Sequence, residues 1–220
     1  MNNLQRVGGY AALVAGVQFV AILVIQFGVL APLGVAGPDT PPDKVLAVVA
    51  ANSTTPFLAL DLITAAFSIT LILGALAVRE RLQAGAPNRM RLAVIAASVG
   101  SALFLASGIT SFTGFPPIVA AKDATAFRTL DAATNGLILA AIFAFGCVGL
   151  LWGWAGLSTK GLPTVLNYVL LLAGVVAVLA FVIPIFGLVG VVINVVWAFW
   201  LGYVLLTQPA TMVTQPKPTM

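Results

Sequence analysis

The sequence contains no histidine and a single cysteine, Cys147. Histidine is the commonest metal ligand, the usual proximal haem ligand and the most frequent general base near neutral pH. A single cysteine cannot form a disulfide within the chain, and it supplies no thiol cluster for a metal. These absences exclude Ser-His chemistry and the common metal and haem centres. We therefore expect no enzyme: no catalytic residue, no metal site and no cofactor.

Charge is also scarce. Of the 220 residues, 7% are charged and 61% are hydrophobic, and the mean hydropathy is +1.12. A soluble domain carries roughly 25% charged residues because its surface faces water. The composition therefore predicts an all-α, polytopic integral membrane protein whose surroundings are membrane lipids. The net charge of +4 is small and lies mostly in the predicted inner loops, so we expect no nucleic-acid partner.

Six apolar runs are long enough to cross a bilayer as helices. They lie at about 7–30, 55–78, 92–112, 131–157, 164–183 and 185–207. We therefore predict one six-helix transmembrane domain over residues 1–207 and a disordered tail, rich in Pro and Thr, at 208–220. Thr40 and Pro41 favour a helix start in the first outer loop. Apolar residues at near-helical spacing then predict a short amphipathic helix on the membrane surface as far as Asn52.

The second outer loop is predicted at 113–130, where Pro116 and Pro117 interrupt the apolar pattern. The fourth span then begins at Asp131, which we expect in the first helical turn. A carboxylate there is favoured by the helix dipole, so the residue needs no functional explanation.

Small and amide side chains predict where the helices touch. The third span carries Gly100 and Ser101 among other small residues at helical spacing, and the fourth carries the pair Gly149 and Gly153. Small residues repeated this way allow two helices to approach closely. In the first span, Gln18 and Gln26 lie on roughly one face, and both are expected to bond to neighbouring helices. We expect all these faces to be buried in the bundle.

The basic residues predict the orientation. Seven of the ten fall on the side that holds both termini: Arg6, Arg79, Arg81, Arg89, Arg91, Lys160 and Lys217. Inner loops of membrane proteins carry the excess of Lys and Arg. We therefore expect a multi-pass protein of the plasma membrane with both termini in the cytoplasm.

Asp61 is the one acidic residue that falls well inside a predicted span. Thr64 and Ser68 share its helical face at spacings of three and seven residues. Gln26 and Asn135 lie at similar depths below the outer ends of their own spans. Together these five side chains form a candidate outward-facing polar pocket.

Three roles for Asp61 remain open from the sequence. It could tie helices together by pairing with Arg128 or Lys122, or by bonding to Asn135 or Gln26. It could instead bind a ligand or ion, or relay protons. An ionisable residue within a span is costly to insert, which makes it a candidate functional residue until a partner is found.

Several segments resemble an uncharacterised family of small six-helix bacterial membrane proteins, a domain of unknown function. In the first half they are Val45-Leu46-Ala47, Ala51-Asn52, Phe57 and Leu60-Asp61-Leu62. In the second half they are 149–157, Gly161-Leu162-Pro163, Ala173-Gly174 and the run from Val196-Trp197 to Leu201-Gly202. The resemblance implies a six-helix architecture in a bacterial inner membrane, and it implies no activity.

The sequence therefore favours a non-catalytic membrane module. It would be an accessory subunit, with another membrane protein as its partner, or a bundle that binds lipid or another apolar ligand of unknown identity. The alternative is a small-solute or ion carrier that uses the outward-facing pocket around Asp61. The two interpretations differ in whether the charge of Asp61 is required.

Overall fold

The structure, a computed structural model, describes residues 3–35, 40–51, 54–183 and 185–208 of the chain. Within these ranges every regular element is a helix. The elements are α1 (Asn3–Leu23, continued by a π-helical segment, Val24–Leu30), α2 (Pro42–Ala51), α3 (Thr55–Leu82), α4 (Pro87–Ala121), α5 (Ala124–Thr159), α6 (Thr164–Ala180) and α7 (Ile185–Thr207). Five of them are long and apolar enough to cross a membrane, whereas α6 is apolar but has 17 residues.

The long helices and α6 form a closed ring in which each packs against its neighbours in the order α1, α3, α4, α5, α6, α7 and back to α1. Neighbours run antiparallel. For example, Gly8 near the start of α1 lies against Ala77 near the end of α3. The ring closes where Gln5 of α1 donates from Nε2 to the Leu205 carbonyl of α7 at 3.1 Å. Both ends of the described chain therefore lie at one end of the bundle.

Small residues set the close contacts of α4, as predicted from the third span. Gly100 and Ser101 are both buried, and a Cβ built on Gly100 would lie 3.4 Å from the Ala144 Cβ of α5. Gly108 is closer still, since its Cβ would lie 2.6 Å from the Asp61 carbonyl oxygen of α3. Any side chain larger than hydrogen at position 108 would push α3 and α4 apart.

The predicted contact at Gly149 and Gly153 is also confirmed. A Cβ on Gly149 would lie 3.0 Å from the Leu170 carbonyl oxygen, and one on Gly153 would lie 2.6 Å from the Asn167 carbonyl oxygen. Both glycines therefore allow α6 to pack directly on α5. α5 therefore packs against α4 on one side and against α6 on the other.

The predicted loop at 113–130 is wrong, because α4 continues to Ala121 and α5 begins at Ala124. Pro116 and Pro117 lie inside α4, where each proline removes a backbone bond at a cost of about 3 kcal/mol. Burial of apolar side chains offsets this cost. Phe115 is 4% exposed and packs 5.3 Å from the Phe57 ring and 5.9 Å from the Phe127 ring, measured between centroids.

The turn between α4 and α5 consists of Lys122 and Asp123. Lys122 adopts the left-handed conformation at the end of α4. The Asp123 carboxylate caps α5 by accepting from the N–H groups of Thr125 at 3.0 Å and Ala126 at 2.9 Å. Asp131 therefore lies two turns inside α5, and its predicted place in the first turn is wrong. The capping carboxylate is the one eight residues earlier.

The amphipathic helix predicted in the first outer loop is present as α2, while its predicted end at Asn52 falls outside the described residues. Its apolar side chains Val45 and Val49 are 5% and 4% exposed. They pack with Leu30, Val35 and Phe115 in a separate apolar cluster. The apolar face of α2 is thus covered by the far ends of the other helices rather than by the membrane surface. Contacts with other helices stabilise a helix of this length better than the membrane–water interface would.

The remaining predicted boundaries differ at the helix ends. α1 begins at Asn3 rather than residue 7, and α3 continues past residue 78 to Leu82. Polar residues extend these helices beyond their apolar runs, because a helix need not end where the apolar pattern ends. α6 ends at Ala180, three residues before the predicted end of the fifth span at residue 183. Within the predicted tail, 209–220 falls outside the described residues.

Candidate functional site

A cavity of about 220 Å³ lies inside the ring, in the half nearer α2, and every helix of the ring contributes to its wall. Thirteen of its fifteen described lining residues are apolar. The aromatic ones are Phe19, Phe67, Phe104, Phe145 and Phe186. The two polar ones are Thr64 of α3 and Asn194 of α7, and none of the described lining residues carries a charge.

A cluster of aromatic rings forms one wall of the cavity, centred on Phe67. Its centroid lies 5.0 Å from that of Phe19, 5.2 Å from that of Phe104 and 5.7 Å from that of Phe145. The Phe145 ring lies 5.8 Å from Trp197 in turn. Tilted and edge-to-face pairs of this kind hold one another in place and add to their apolar burial. The wall is therefore preformed by contacts among α1, α3, α4, α5 and α7.

Asn194 supplies the one amide of the wall, and it is 7% exposed. Its Oδ1 accepts a hydrogen bond from the indole Nε1 of Trp197 at 2.6 Å. Since an indole N–H can only donate, the amide oxygen must be the atom that faces Trp197. The Nδ2 group has no hydrogen-bond partner among the described residues, and the side chain lines the cavity. Asn194 therefore offers a donor to whatever occupies the cavity.

Thr64 supplies the second polar group. Its Oγ1 donates to the Leu60 carbonyl oxygen at 2.9 Å, one turn earlier in α3. The hydroxyl proton is used by this bond, so the oxygen presents its lone pairs as an acceptor. The cavity thus combines a wide apolar surface with one available donor and one acceptor.

Two glycines of α7 leave the space that forms the cavity. Gly187, Gly190 and Asn194 follow the spacing i, i+3, i+7 and so share one helical face. A Cβ built on Gly187 would meet no atom within 4 Å, and one on Gly190 would lie 3.5 Å from Val176 Cγ1. At the other end of α7, a Cβ on Gly202 would lie 2.7 Å from the Leu13 side chain. α7 is therefore tightly packed at the end holding the termini and opens space at its start.

The structure places Thr64, among the five residues of the predicted pocket, in the wall of this cavity; Asp61, Ser68, Gln26 and Asn135 are not among its lining residues. The Asp61 carboxylate has the side chain of Ser111, on α4, as a polar neighbour. Ser68 is buried and donates to the Ala65 carbonyl oxygen at 2.6 Å. The Asp61 pocket stays a prediction.

The other two predicted residues lie on other helices than Asp61. Asn135 is exposed, and its side chain lies beside Asp131, one turn earlier in α5. Gln26 lies in the π-helical segment, where its carbonyl oxygen accepts from the Ala31 N–H at 2.9 Å. Gln18, predicted to bond across helices, does so by accepting from Thr70 Oγ1 of α3 at 3.0 Å.

Sequence reasoning missed two residues that the site uses, Asn194 and Trp197, and it also missed Ser111 as a neighbour of Asp61. Ser111 is three residues from Gly108, where α4 meets α3. Asn194 and Trp197 were not considered as a site. The sequence does contain a pattern that indicates them, because a spacing of three residues places both polar groups on one face of a strongly apolar helix.

Comparisons of the chain with protein-family models, curated proteins and solved structures found no match. The resemblance to an uncharacterised six-helix family therefore stays a prediction. Within the described ranges, no group of three or more Asp, Glu or Cys side chains is placed to hold a metal ion. The chemistry of the site rests on the cavity and on the bond between Asn194 and Trp197.

Proposed function

We propose that this membrane protein is a non-catalytic module whose helical ring binds an apolar ligand in the central cavity. The observation that carries the proposal is the composition of the wall: thirteen apolar residues with one amide and one hydroxyl. Binding pockets for small molecules are mostly apolar and use a few placed polar groups to orient the ligand. The bundle needs no further reactive group for this function.

The volume of the cavity limits the size of the ligand. An engineered apolar cavity of about 150 Å³ stays dry and binds benzene. The cavity of about 220 Å³ accommodates a ring-sized group or a short segment of a lipid chain. Larger ligands would place a further part of the molecule between helices or in the membrane.

We also propose that all six helices of the ring cross the plasma membrane of a bacterium, with both termini in the cytoplasm. α6 measures roughly 26 Å at about 1.5 Å per residue, and it packs between two longer helices. The arginines support the orientation. Arg81 donates to the Gly161 carbonyl oxygen at 2.6 Å and to that of Gln208 at 2.9 Å, so it lies at the end that holds the termini, where inner loops carry positive charge.

The carrier interpretation receives less support from the cavity. Its described wall contains no ionisable side chain, whereas ion and proton sites inside membranes are built on charged or ionisable side chains or on rings of backbone carbonyls. Asp61 instead lies at the contact between α3 and α4, beside Ser111. This position favours a role in holding α3 to α4, which solute and proton flux in proteoliposomes would test.

Bromobenzene provides a direct test of the binding proposal. Crystals grown in a lipidic mesophase would be soaked with the compound, and the bromine located by anomalous diffraction. We expect a peak inside the cavity, between Phe67 and Asn194. Bromine peaks confined to the lipid-facing surface of the bundle would contradict the proposal.

Two glycine variants give the matched control. Gly187→Leu adds a side chain on the cavity face of α7, at a position where a Cβ meets no atom within 4 Å. Gly136→Leu makes the same change on α5, where a Cβ also meets no atom within 4 Å and the residue does not line the cavity. The peak should disappear in Gly187→Leu and persist in Gly136→Leu. A peak of equal height in both variants would contradict the assignment of the site.

A further inference from the structure

We propose that the cavity selects a neutral ligand that bears a carbonyl group, such as a ketone, an ester or a quinone, and that the Nδ2 group of Asn194 donates to this carbonyl. The inference rests on the proposed function, since it assumes that the cavity binds an apolar ligand. It adds the chemical class of that ligand. The observations that carry it are the orientation of the amide and the absence of any other acceptor for Nδ2 among the described residues.

Trp197 holds the amide in the orientation that the inference requires. The indole is 5% exposed, and its ring lies 5.8 Å from Phe145 and 6.1 Å from Trp152, the latter edge to face. Its N–H donates to Asn194 Oδ1 at 2.6 Å. Turning the amide over would bring its NH₂ group against the indole N–H, and the indole would lose its acceptor. Nδ2 is therefore kept available on the side of the cavity.

The apolar wall makes this donor selective. Against an apolar wall, a hydrocarbon ligand leaves the N–H of Asn194 without an acceptor, whereas a carbonyl satisfies it. A carboxylate would also accept, but none of the described lining residues is a cation that could compensate its charge, and an unpaired charge in such a site is costly. An alcohol could also accept from Asn194, but its own hydroxyl proton would have to reach the Thr64 oxygen as well, whereas a carbonyl needs Asn194 alone. A neutral carbonyl matches the site best.

Acetophenone and isopropylbenzene form a suitable pair of probes, because they share one skeleton of nine heavy atoms and differ in the carbonyl. Their affinities for the full-length protein in lipid nanodiscs would be measured by NMR titration and corrected for partition into the lipid. We expect acetophenone to bind about three- to tenfold more tightly, the range that one net hydrogen bond provides. The side-chain amide signals of Asn194 should shift downfield with acetophenone and not with isopropylbenzene.

Two variants assign the preference to Asn194. The double variant Asn194→Leu/Trp197→Phe removes the donor together with its indole partner, so that neither is left unpaired. It should bind the two probes with equal affinity. Thr64→Val removes the other polar group of the wall and should keep the preference for acetophenone. A preference lost in Thr64→Val but kept in the double variant would overturn the inference.

The outcomes separate the inference from the proposed function. If wild-type protein binds both probes equally and the Asn194 amide signals do not move, the carbonyl inference is wrong, while the cavity still binds apolar ligands. If neither probe binds, the proposed function fails. The amide signals are read in the wild-type protein, so the test holds even where the double variant does not fold.

Discussion

The side-chain oxygen of Asn194 accepts a hydrogen bond from the indole N–H of Trp197, three residues further along α7, at 2.6 Å. Both side chains are at least nine-tenths buried. The bond satisfies the indole N–H, whereas the amide keeps a free donor, its Nδ2 group. This relationship links the packing of α7 to the chemistry of the cavity.

The first prediction concerns this pair. Asn194→Leu should destabilise the protein, because it leaves the Trp197 N–H buried without an acceptor. Hydrogen bonds between side chains in membrane proteins contribute about 0.6 kcal/mol on average and up to about 1.7 kcal/mol. Combining Asn194→Leu with Trp197→Phe should therefore cost less than the sum of the two single changes. Thermal unfolding in detergent measures the coupling, and strictly additive losses would contradict it.

The second prediction concerns the close approach of α3 and α4. Gly108→Ala should destabilise the bundle by about 1–3 kcal/mol, the usual range for overpacking, since the new Cβ would lie 2.6 Å from the Asp61 carbonyl oxygen. Gly136→Ala is the control, because its Cβ meets no atom within 4 Å and alanine favours a helix by up to about 1 kcal/mol. Equal unfolding temperatures for the two variants would show that position 108 has room.

The positions of the helices could be predicted from the sequence, because long apolar runs have few alternatives in a membrane. Their ends could not. Pro116 and Pro117 indicate a loop when local preferences alone are considered. The burial of Phe115 against Phe57 and Phe127 depends on which helices become neighbours. This contact stabilises α4 as a helix that continues past both prolines.

The site was less predictable than the fold. Asp61 is recognisable in the sequence as an ionisable residue in a span, yet its neighbour Ser111 lies fifty residues away on α4. The cavity arises because the ring closes between α1 and α7, at opposite ends of the chain. The space beside Gly187 and Gly190 depends on how α7 packs against α6. The local sequence around these glycines therefore does not predict the cavity.

The third prediction concerns the charge of Asp61. Asp61→Asn keeps a polar side chain of nearly the same size beside Ser111 and removes the charge. If the residue holds α3 to α4, the free energy of unfolding of the variant should lie within about 1 kcal/mol of that of the wild type. Solute and proton flux in proteoliposomes should be the same for both proteins at matched reconstitution. Wild-type flux that disappears in a normally folded Asp61→Asn variant would instead make the protein a carrier.

The fourth prediction concerns orientation. Gln83 is exposed in the turn that follows α3, on the side expected to face the cytoplasm. In a Cys147→Ala background, a cysteine at Gln83 should react with an impermeant thiol reagent only after the cells are opened. A cysteine at Thr125, exposed at the start of α5, should react in intact cells. The reverse pattern would invert the topology.

Native mass spectrometry of protein extracted gently from its own membrane tests the binding of an apolar ligand most directly. We predict that the wild type and Gly136→Leu each carry one additional small molecule, released at moderate collision energy. Gly187→Leu, whose new side chain occupies the cavity, should appear at the mass of the chain alone. A wild-type protein at the mass of the bare chain, or an identical bound molecule in Gly187→Leu, would contradict ligand binding in this cavity.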